Sequence, residues 1–165
     1  MIGGQTGEGG GLREVVTPRP GRIGAWLHAF RIPTLAASVV PVLVGTALAW
    51  RHGASRPLAA VAALVGAVAI QVGTNLANDI YDFRKGADAP GRIGPPRVLP
   101  QGWLSGDEVR TGMIVSFAIA TVAGAYLWKV AGWPVVAIGT ASIAAGIGYT
   151  AGPFALAYVG LGDLA

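Results

Sequence analysis

Four side chains that carry oxygen atoms lie close together in the stretch QVGTNLANDIYDFRKGAD, residues 71–88. Asn75, Asn78, Asp79 and Asp82 are separated by steps of three and four residues, so they share one face if the segment is helical. We call this set the acidic face. Carboxylate and amide oxygens are the hard ligands that Mg²⁺ takes, together with waters and phosphate oxygens. The spacing therefore predicts a metal–phosphate site.

Basic residues adjoin the acidic face. Lys85 follows it directly, and Arg97 lies in a loop rich in Gly and Pro. Gly86 is expected to end the helix, which would let Asp88 turn back toward the face. A metal held by carboxylates and flanked by cations suits a diphosphate, because both neutralise charge on the departing oxygens. A simpler interpretation stays open at this point, in which the aspartates are solvated charges at a helix end.

The composition indicates a membrane protein. The 165 residues are 53% hydrophobic and 12% charged, with a mean hydropathy of +0.56. Soluble domains carry about a quarter charged residues. The 26 glycines fit helices that pack closely in lipid. Because the chain has no Cys, a disulfide framework and a thiolate metal site are both excluded.

Apolar segments of membrane-spanning length predict an all-α fold, an integral membrane helical bundle. Each segment approaches the roughly 20 residues that cross a bilayer. The first segment could begin earlier, near Trp26. The five tryptophans lie near the expected membrane edges and are interpreted as an interfacial belt. The predicted helices are about Pro33 to Trp50, Pro57 to Tyr81, Asp107 to Trp128 and Trp133 to Thr150.

Basic residues alternate between the connections and predict the topology. Eight of the twelve lie before the first helix or between the second and third, and Arg110 lies in the first turn of the third on the same side. Arg51, Arg56 and Lys129 lie on the other side. The positive-inside rule therefore places the N-terminus and the loop of residues 83–105 in the cytoplasm of a multi-pass cell-membrane protein. Residues 1–22 are expected to form a flexible tail.

Four stretches resemble the UbiA superfamily of intramembrane prenyltransferases. NLANDIYDFRKGAD, residues 75–88, is similar to the first aspartate-rich motif of that superfamily. AWLHAFRIPTLAASVVPVLVGTALA, residues 25–49, resembles its opening helix, and GPPRVLPQGWLS, residues 94–105, resembles the loop after the motif. GYTAGPFALAYVGLGD, residues 148–163, is similar to a signature of the 1,4-dihydroxy-2-naphthoate polyprenyltransferases (MenA), the branch that the chain resembles most.

The resemblance implies a bundle of about nine membrane helices around a central cavity. It also implies two aspartate motifs that together hold Mg²⁺ and a polyprenyl diphosphate. The first motif is present, and the second is expected beyond residue 165. Residues 23–165 are therefore expected to be the N-terminal part of such a domain, and this chain alone is expected to be an incomplete enzyme.

The implied reaction transfers a polyprenyl group to 1,4-dihydroxy-2-naphthoate, with loss of diphosphate and CO₂, and gives demethylmenaquinone. By position, the resemblance assigns metal binding to Asn75, Asp79, Asp82 and Asp88. It assigns diphosphate binding to Asn75, Asn78, Lys85, Arg97 and Arg31, and catalysis to Asp79, Asp82 and Tyr149. Arg31 could instead meet the naphthoate carboxylate or anchor the helix at the membrane, and Tyr149 could be an interfacial residue.

Two alternatives remain. Another UbiA-type enzyme would use hydroxybenzoate, homogentisate, a porphyrin or a sugar phosphate as acceptor, with the same Mg²⁺–diphosphate site. A transport subunit would instead line an ion path with these acids. A path needs ionisable groups near mid-membrane, and the helix centres carry none.

Overall fold

A computed structural model describes residues 19–86 and 96–149. These residues form five α-helices and one 3₁₀ turn, and no strand is found among them. The predicted all-α membrane bundle is confirmed. In chain order the elements are α1 (Arg22–Phe30), the 3₁₀ turn (Ile32–Leu35), α2 (Ala36–Arg51), α3 (Pro57–Lys85), α4 (Gly106–Ala131) and α5 (Trp133–Gly148).

Three helical segments are long and apolar enough to cross a membrane. They are Ile32–Arg51, Pro57–Lys85 and Gly106–Ala131. The fourth predicted span is present as α5, which has 16 residues, fewer than the roughly 20 that cross a bilayer. Residue 150, where this span was expected to end, lies outside the described residues.

The ends of two helices differ from the prediction at places that matter for the site. The first predicted helix, Pro33 to Trp50, is present as the 3₁₀ turn and α2, but it does not begin near Trp26, because the chain breaks at Arg31 and Trp26 lies in the separate helix α1. Helix α3 runs one turn past Tyr81 and ends at Gly86, which has φ 66° and accordingly caps the helix as expected. The whole acidic face therefore lies within one continuous helix.

Small residues let α3 and α4 form the most extensive helix pair of the bundle. A side chain at Gly66 would meet the Ala123 methyl at 3.5 Å, and one at Gly73 would meet the Phe117 ring at 2.8 Å. Many apolar side chains of the described helices remain exposed, as lipid-facing residues of a membrane protein do.

The buried core lies at the Lys85 end of α3. It joins α1, α3, the segment 98–104 and the start of α4. Trp103 is 8% exposed within this core, and Trp26 packs against it. The interpretation of all five tryptophans as an interfacial belt is therefore wrong for Trp103, which fills space between elements that the sequence pattern did not bring together. The core residues are Ala25, Ala29, Val72, Leu76, Ile80, Val98, Leu99, Trp103, Leu104 and Val109.

A capping box begins α4. The Ser105 hydroxyl accepts from the Glu108 N–H at 3.2 Å, and the Glu108 carboxylate accepts from the Ser105 N–H at 2.8 Å. Glu108 also pairs with Arg22 of α1 at 2.5 Å. This cap fixes the end of the segment 98–104, which covers the core.

Ser105→Ala is expected to lower the free energy of unfolding by about 1 kcal/mol, because a helix N–H loses its acceptor. Denaturation in detergent measures the change. Thr121→Ala is the control, since that exposed hydroxyl bonds only the Phe117 carbonyl of its own helix. Equal stability of the two variants would contradict the role of the cap.

Candidate functional site

The acidic face of α3 is buried. Asp79 and Asp82 are 2% and 5% exposed, and Asn75 and Asn78 are nearly as inaccessible. A buried carboxylate is costly unless opposite charge and hydrogen bonds accompany it. The interpretation of these aspartates as solvated charges at a helix end is therefore wrong, and their partners become the question.

Arg31 supplies one partner from the break between α1 and the 3₁₀ turn. Its Nη2 donates to Asp79 Oδ1 at 2.5 Å, across 48 residues of sequence. The backbone of Arg31 is left-handed, with φ 53° and ψ 59°, which costs a residue with a side chain roughly 1–2 kcal/mol. The Arg31 carbonyl accepts from the Thr34 N–H at 2.8 Å and the Thr34 hydroxyl at 2.9 Å. This turn fixes the arginine where it reaches α3.

Arg97 supplies the second partner from the segment that precedes α4. Its Nη1 donates to Asp82 Oδ2 and lies 3.9 Å from Asp79 Oδ1. The next two residues, Val98 and Leu99, are buried in the core and anchor the backbone beside the arginine. We call Arg31 and Arg97 the arginine pair. Among the described residues, the pair balances the charge of the two aspartates.

Asn75 connects α3 to the same turn. Its Nδ2 donates to the Phe30 carbonyl at 2.9 Å and to the Thr34 hydroxyl at 3.0 Å. Its Oδ1 faces the amide of Gln71 at 3.4 Å, a weak contact. Asn75 thus uses its donors to brace the turn that carries Arg31, and its oxygen keeps acceptor capacity.

A cavity of about 1040 Å³ opens beside the acidic face, between α3, α4 and α5. Asn75 and Asn78 line one end, and Tyr149 also lines it. Most of the other lining residues are apolar, and they continue to Trp128 near the far end of α4. The site therefore combines a charged head region with a long apolar compartment.

The remaining predicted site residues lie in different places. Lys85 is exposed in the last turn of α3. Asp88 lies outside the described residues, as does most of the 148–163 stretch. Asn78, Asp79, Asp82, Arg97 and Arg31 are brought together by three separate elements of the fold.

The donor set fits Mg²⁺ that is shared with a phosphate ligand. Asp79 and Asp82 lie one helical turn apart and provide carboxylate oxygens, with the Asn78 amide beside them. The described residues contain no group of three or more His, Cys, Asp or Glu side chains able to hold a metal by themselves. Mg²⁺ is bound through one or two carboxylates when phosphate oxygens and waters complete its shell. Two carboxylates are enough for such a site.

Two further polar residues line the cavity and were missed in the sequence. Gln71 and Thr74 lie one turn deeper on α3 than Asn75 and Asn78, on the same side of the helix. The signal was present in the same spacing of three and four residues, which extends the acidic face toward mid-membrane.

Comparison with known proteins decides the family. The model of the UbiA prenyltransferase family matches residues 38–165. The chain belongs to the UbiA prenyltransferase family. The resemblance found in the sequence is confirmed, and with the three apolar helices it makes this a multi-pass membrane protein. The acidic face and Arg97 lie within the UbiA match, and Arg31 lies before it.

Relatives within the UbiA family are named as octaprenyl- or phytyltransferases. The chain is 38% identical to the 1,4-dihydroxy-2-naphthoate octaprenyltransferase of Escherichia coli (strain K12), over 87% of this chain and 48% of the relative. It is 34% identical to the protein of that name in Bacillus subtilis (strain 168), over 79% of this chain and 42% of the relative. It is 31% identical to the 2-carboxy-1,4-naphthoquinone phytyltransferase of Synechocystis, over 84% of this chain and 45% of the relative.

The chain spans about half the length of the curated relatives it matches. No solved structure matches it.

Proposed function

We propose that this chain is part of an enzyme that transfers a polyprenyl group from polyprenyl diphosphate to 1,4-dihydroxy-2-naphthoate, in menaquinone biosynthesis. The observation that carries the proposal is a buried pair of aspartates, matched by two arginines, on the helix face whose Asn75 and Asn78 line a largely apolar cavity. The names of the relatives support the choice of acceptor. The residues bind and orient a charged head at the arginines and an apolar tail in the cavity.

Mg²⁺ is the proposed cofactor, as is general for prenyltransferases of this family. Asp79 and Asp82 would hold it, with oxygen atoms of Asn75 and Asn78 nearby and Asp88 as a further ligand. The metal supplies positive charge at the diphosphate oxygens. Asn75 also holds the Arg31 turn in place, so its role in the site is partly to position that arginine.

The arginine pair is proposed to stabilise the leaving group, and exposed Lys85 to attract the diphosphate. As the bond between the first prenyl carbon and its oxygen breaks, the electron pair leaves with the diphosphate and two guanidinium groups neutralise it. The allylic cation that remains would face Tyr149, whose ring attracts cations. The naphthoate ring attacks that cation, and its carboxyl group leaves as CO₂ to restore the aromatic ring. The immediate product is the hydroquinone form, demethylmenaquinol, and a separate two-electron oxidation outside this reaction gives demethylmenaquinone.

The location and extent of the protein are proposals of the same kind. The nine-to-three distribution of basic residues supports a cell-membrane protein with the N-terminus and the acidic face in the cytoplasm. Residues 23–165 would form the N-terminal part of the UbiA domain. Residues 1–22 would precede it as a tail, although Arg22 already begins α1.

Product analysis tests the acceptor. We would assay the chain alone and a fusion to the C-terminal half of the Escherichia coli relative, which supplies the second aspartate motif that the resemblance implies. With octaprenyl diphosphate and Mg²⁺, the fusion is expected to prenylate dihydroxynaphthoate with loss of CO₂, and chelation of the metal is expected to stop it. The chain alone is expected to give no turnover.

Hydroxybenzoate, in a parallel reaction, separates the alternatives. Prenylation of hydroxybenzoate but not of dihydroxynaphthoate would show that the proposed acceptor is wrong and that the reaction is still a prenyl transfer. Binding of no prenyl diphosphate, with or without Mg²⁺, would favour the transport subunit. The position of the charges speaks against that alternative, because the ionisable side chains of α3 lie within its last seven residues.

A further inference from the structure

The carboxylates and the guanidinium groups of the site already satisfy one another. Asp79 Oδ1 receives Arg31 at 2.5 Å and has Arg97 at 3.9 Å, and Asp82 Oδ2 receives Arg97. Oxygen atoms that would bind a metal are thus already in contact with cations. The cations that would bind a diphosphate are likewise held by carboxylates.

The atoms that form these pairs cannot bind the ligands while the pairs remain closed. An N–H group that donates to a carboxylate oxygen is not directed at a phosphate oxygen. An oxygen that accepts from an arginine also keeps less electron density and less space for a metal. Binding of a metal and a diphosphate at these atoms therefore requires the Arg31–Asp79 and Arg97–Asp82 pairs to open.

We propose that Arg31 and Arg97 are exchangeable counter-ions of the acidic face. Without ligand they neutralise Asp79 and Asp82 and keep these buried carboxylates stable. When a divalent cation enters together with a diphosphate, the arginines release the carboxylates to the cation and turn onto the diphosphate oxygens. This inference rests on the proposed function, and it adds the order of events: cation and diphosphate bind together, and neither binds well alone.

The surroundings of the pair suit such an exchange. The backbone of Arg31 is fixed by its left-handed turn and the Thr34 hydrogen bonds, while its side chain is 26% exposed. The backbone of Arg97 is anchored by buried Val98 and Leu99. Only side-chain torsions need to change, because a long arginine side chain can move its head group while its backbone stays in place.

The exchange predicts coupling between the two ligands. A cation alone must displace the arginines with nothing to receive them, so it binds weakly. Pyrophosphate receives them and raises the affinity for the cation, and by linkage the cation raises the affinity for pyrophosphate equally. Direct contact between the cation and pyrophosphate also couples the two ligands, so the exchange is recognised by the part of the coupling that is lost when Arg97 is replaced.

The variant Arg97→Gln is expected to raise the affinity for Mn²⁺ without pyrophosphate and to lower the gain in affinity that pyrophosphate brings. In the chain reconstituted in nanodiscs, Mn²⁺ is titrated by electron paramagnetic resonance, without and with inorganic pyrophosphate. Without pyrophosphate, the variant is expected to bind Mn²⁺ about tenfold more tightly than the wild type, since a competing cation is gone. With pyrophosphate, the gain in Mn²⁺ affinity is expected to be about tenfold smaller than in the wild type.

Two control variants are matched to this substitution. Arg110→Gln makes the same change at an exposed position in the first turn of α4 and is expected to change neither affinity. Arg97→Lys keeps the charge, so its Mn²⁺ affinity without pyrophosphate is expected to stay close to that of the wild type.

Thermal unfolding without metal is the second measurement. Arg97→Gln is expected to unfold at a lower temperature, and Mn²⁺ is expected to raise this temperature more than it does for the wild type. The double variant Arg97→Gln with Asp82→Asn restores a neutral pair, so it is expected to regain stability without gaining Mn²⁺ affinity.

The outcomes separate the exchange from the proposed function. If the wild type binds Mn²⁺ with pyrophosphate but Arg97→Gln binds Mn²⁺ alone no more tightly, the exchange is wrong and the diphosphate site stands. If the wild type shows no response to pyrophosphate, the proposed function of these residues fails. Destabilisation of Arg97→Gln with no change in either affinity would make the pair purely structural and overturn the exchange.

Discussion

Asp79→Asn is expected to lower prenyl transfer by the fusion protein about 10²–10³-fold, the loss that follows when one stabilising charge contact is removed from a reacting centre. Asp79 is the most deeply buried group of the acidic face and is shared by both arginines. The substitution keeps the shape of the side chain and removes its charge. Mg²⁺-dependent binding of prenyl diphosphate, measured by calorimetry, is expected to fall with turnover.

The free energy of unfolding is expected to change less than the activation free energy. An asparagine oxygen can still accept from Arg31, whose side chain keeps a quarter of its surface exposed, so the free energy of unfolding should fall by about 1–3 kcal/mol. Asp107→Asn is the matched control, because that carboxylate is exposed in the first turn of α4. It is expected to change stability by no more than about 0.5 kcal/mol and to leave turnover unchanged.

Retention of Mg²⁺-dependent diphosphate binding by Asp79→Asn would remove this aspartate from the proposed metal site. Loss of folding in detergent would instead make Asp79 mainly structural. A circular dichroism spectrum and a gel-filtration profile, recorded before each binding measurement, distinguish these two results.

The sequence predicted the residues of one helix face better than it predicted their partners. The four residues of the acidic face could be placed on one side of the helix because helical spacing is a local property. The contacts of Asp79 and Asp82 reach residues 48 and 15 positions away, and no periodicity connects such positions. Arg31 and Arg97 were candidate phosphate ligands in the sequence, and the structure adds that both arginines contact the aspartates.

The break between α1 and the 3₁₀ turn at Arg31 could not be predicted from the local sequence. Pro33 indicated that a helix begins near it, but a left-handed conformation is usual for glycine and rare for arginine. That conformation is imposed by tertiary contacts, among them the Asn75 hydrogen bonds to Phe30 and Thr34. Trp103 shows the same limit, since an aromatic residue near a membrane edge has the same local pattern whether it faces lipid or a core.

The position of Arg31 depends on how α1 packs against α4. In this packing Gly112 of α4 lies against Trp26 of α1. A methyl group at Gly112 would lie 2.8 and 2.9 Å from two atoms of the Trp26 ring and 3.3 Å from Leu76 Cδ1. Trp26 belongs to α1 and stacks on Phe30, with ring centres 5.5 Å apart. Displacing this ring displaces the end of α1, directly before Arg31.

Gly112→Ala is therefore expected to lower the free energy of unfolding by about 1–3 kcal/mol, the usual cost of overpacking. Alanine in an open helix position is instead expected to stabilise by roughly 0.5–1 kcal/mol. Gly124→Ala, on the same helix with nothing within 4 Å, tests that expectation. The two variants should thus change stability in opposite directions when unfolded in sodium dodecyl sulfate.

A double-mutant cycle with Trp26→Leu locates the effect. The smaller side chain makes room for the new methyl group, so Gly112→Ala should cost less in the Trp26→Leu background, with a coupling energy of about 0.5–3 kcal/mol. Prenyl diphosphate binding should weaken in Gly112→Ala and recover in part in the double variant, because Arg31 regains its position. Equal stability of Gly112→Ala and Gly124→Ala would mean that α1 is not packed tightly on α4, and then the geometry of Arg31 could not depend on this contact.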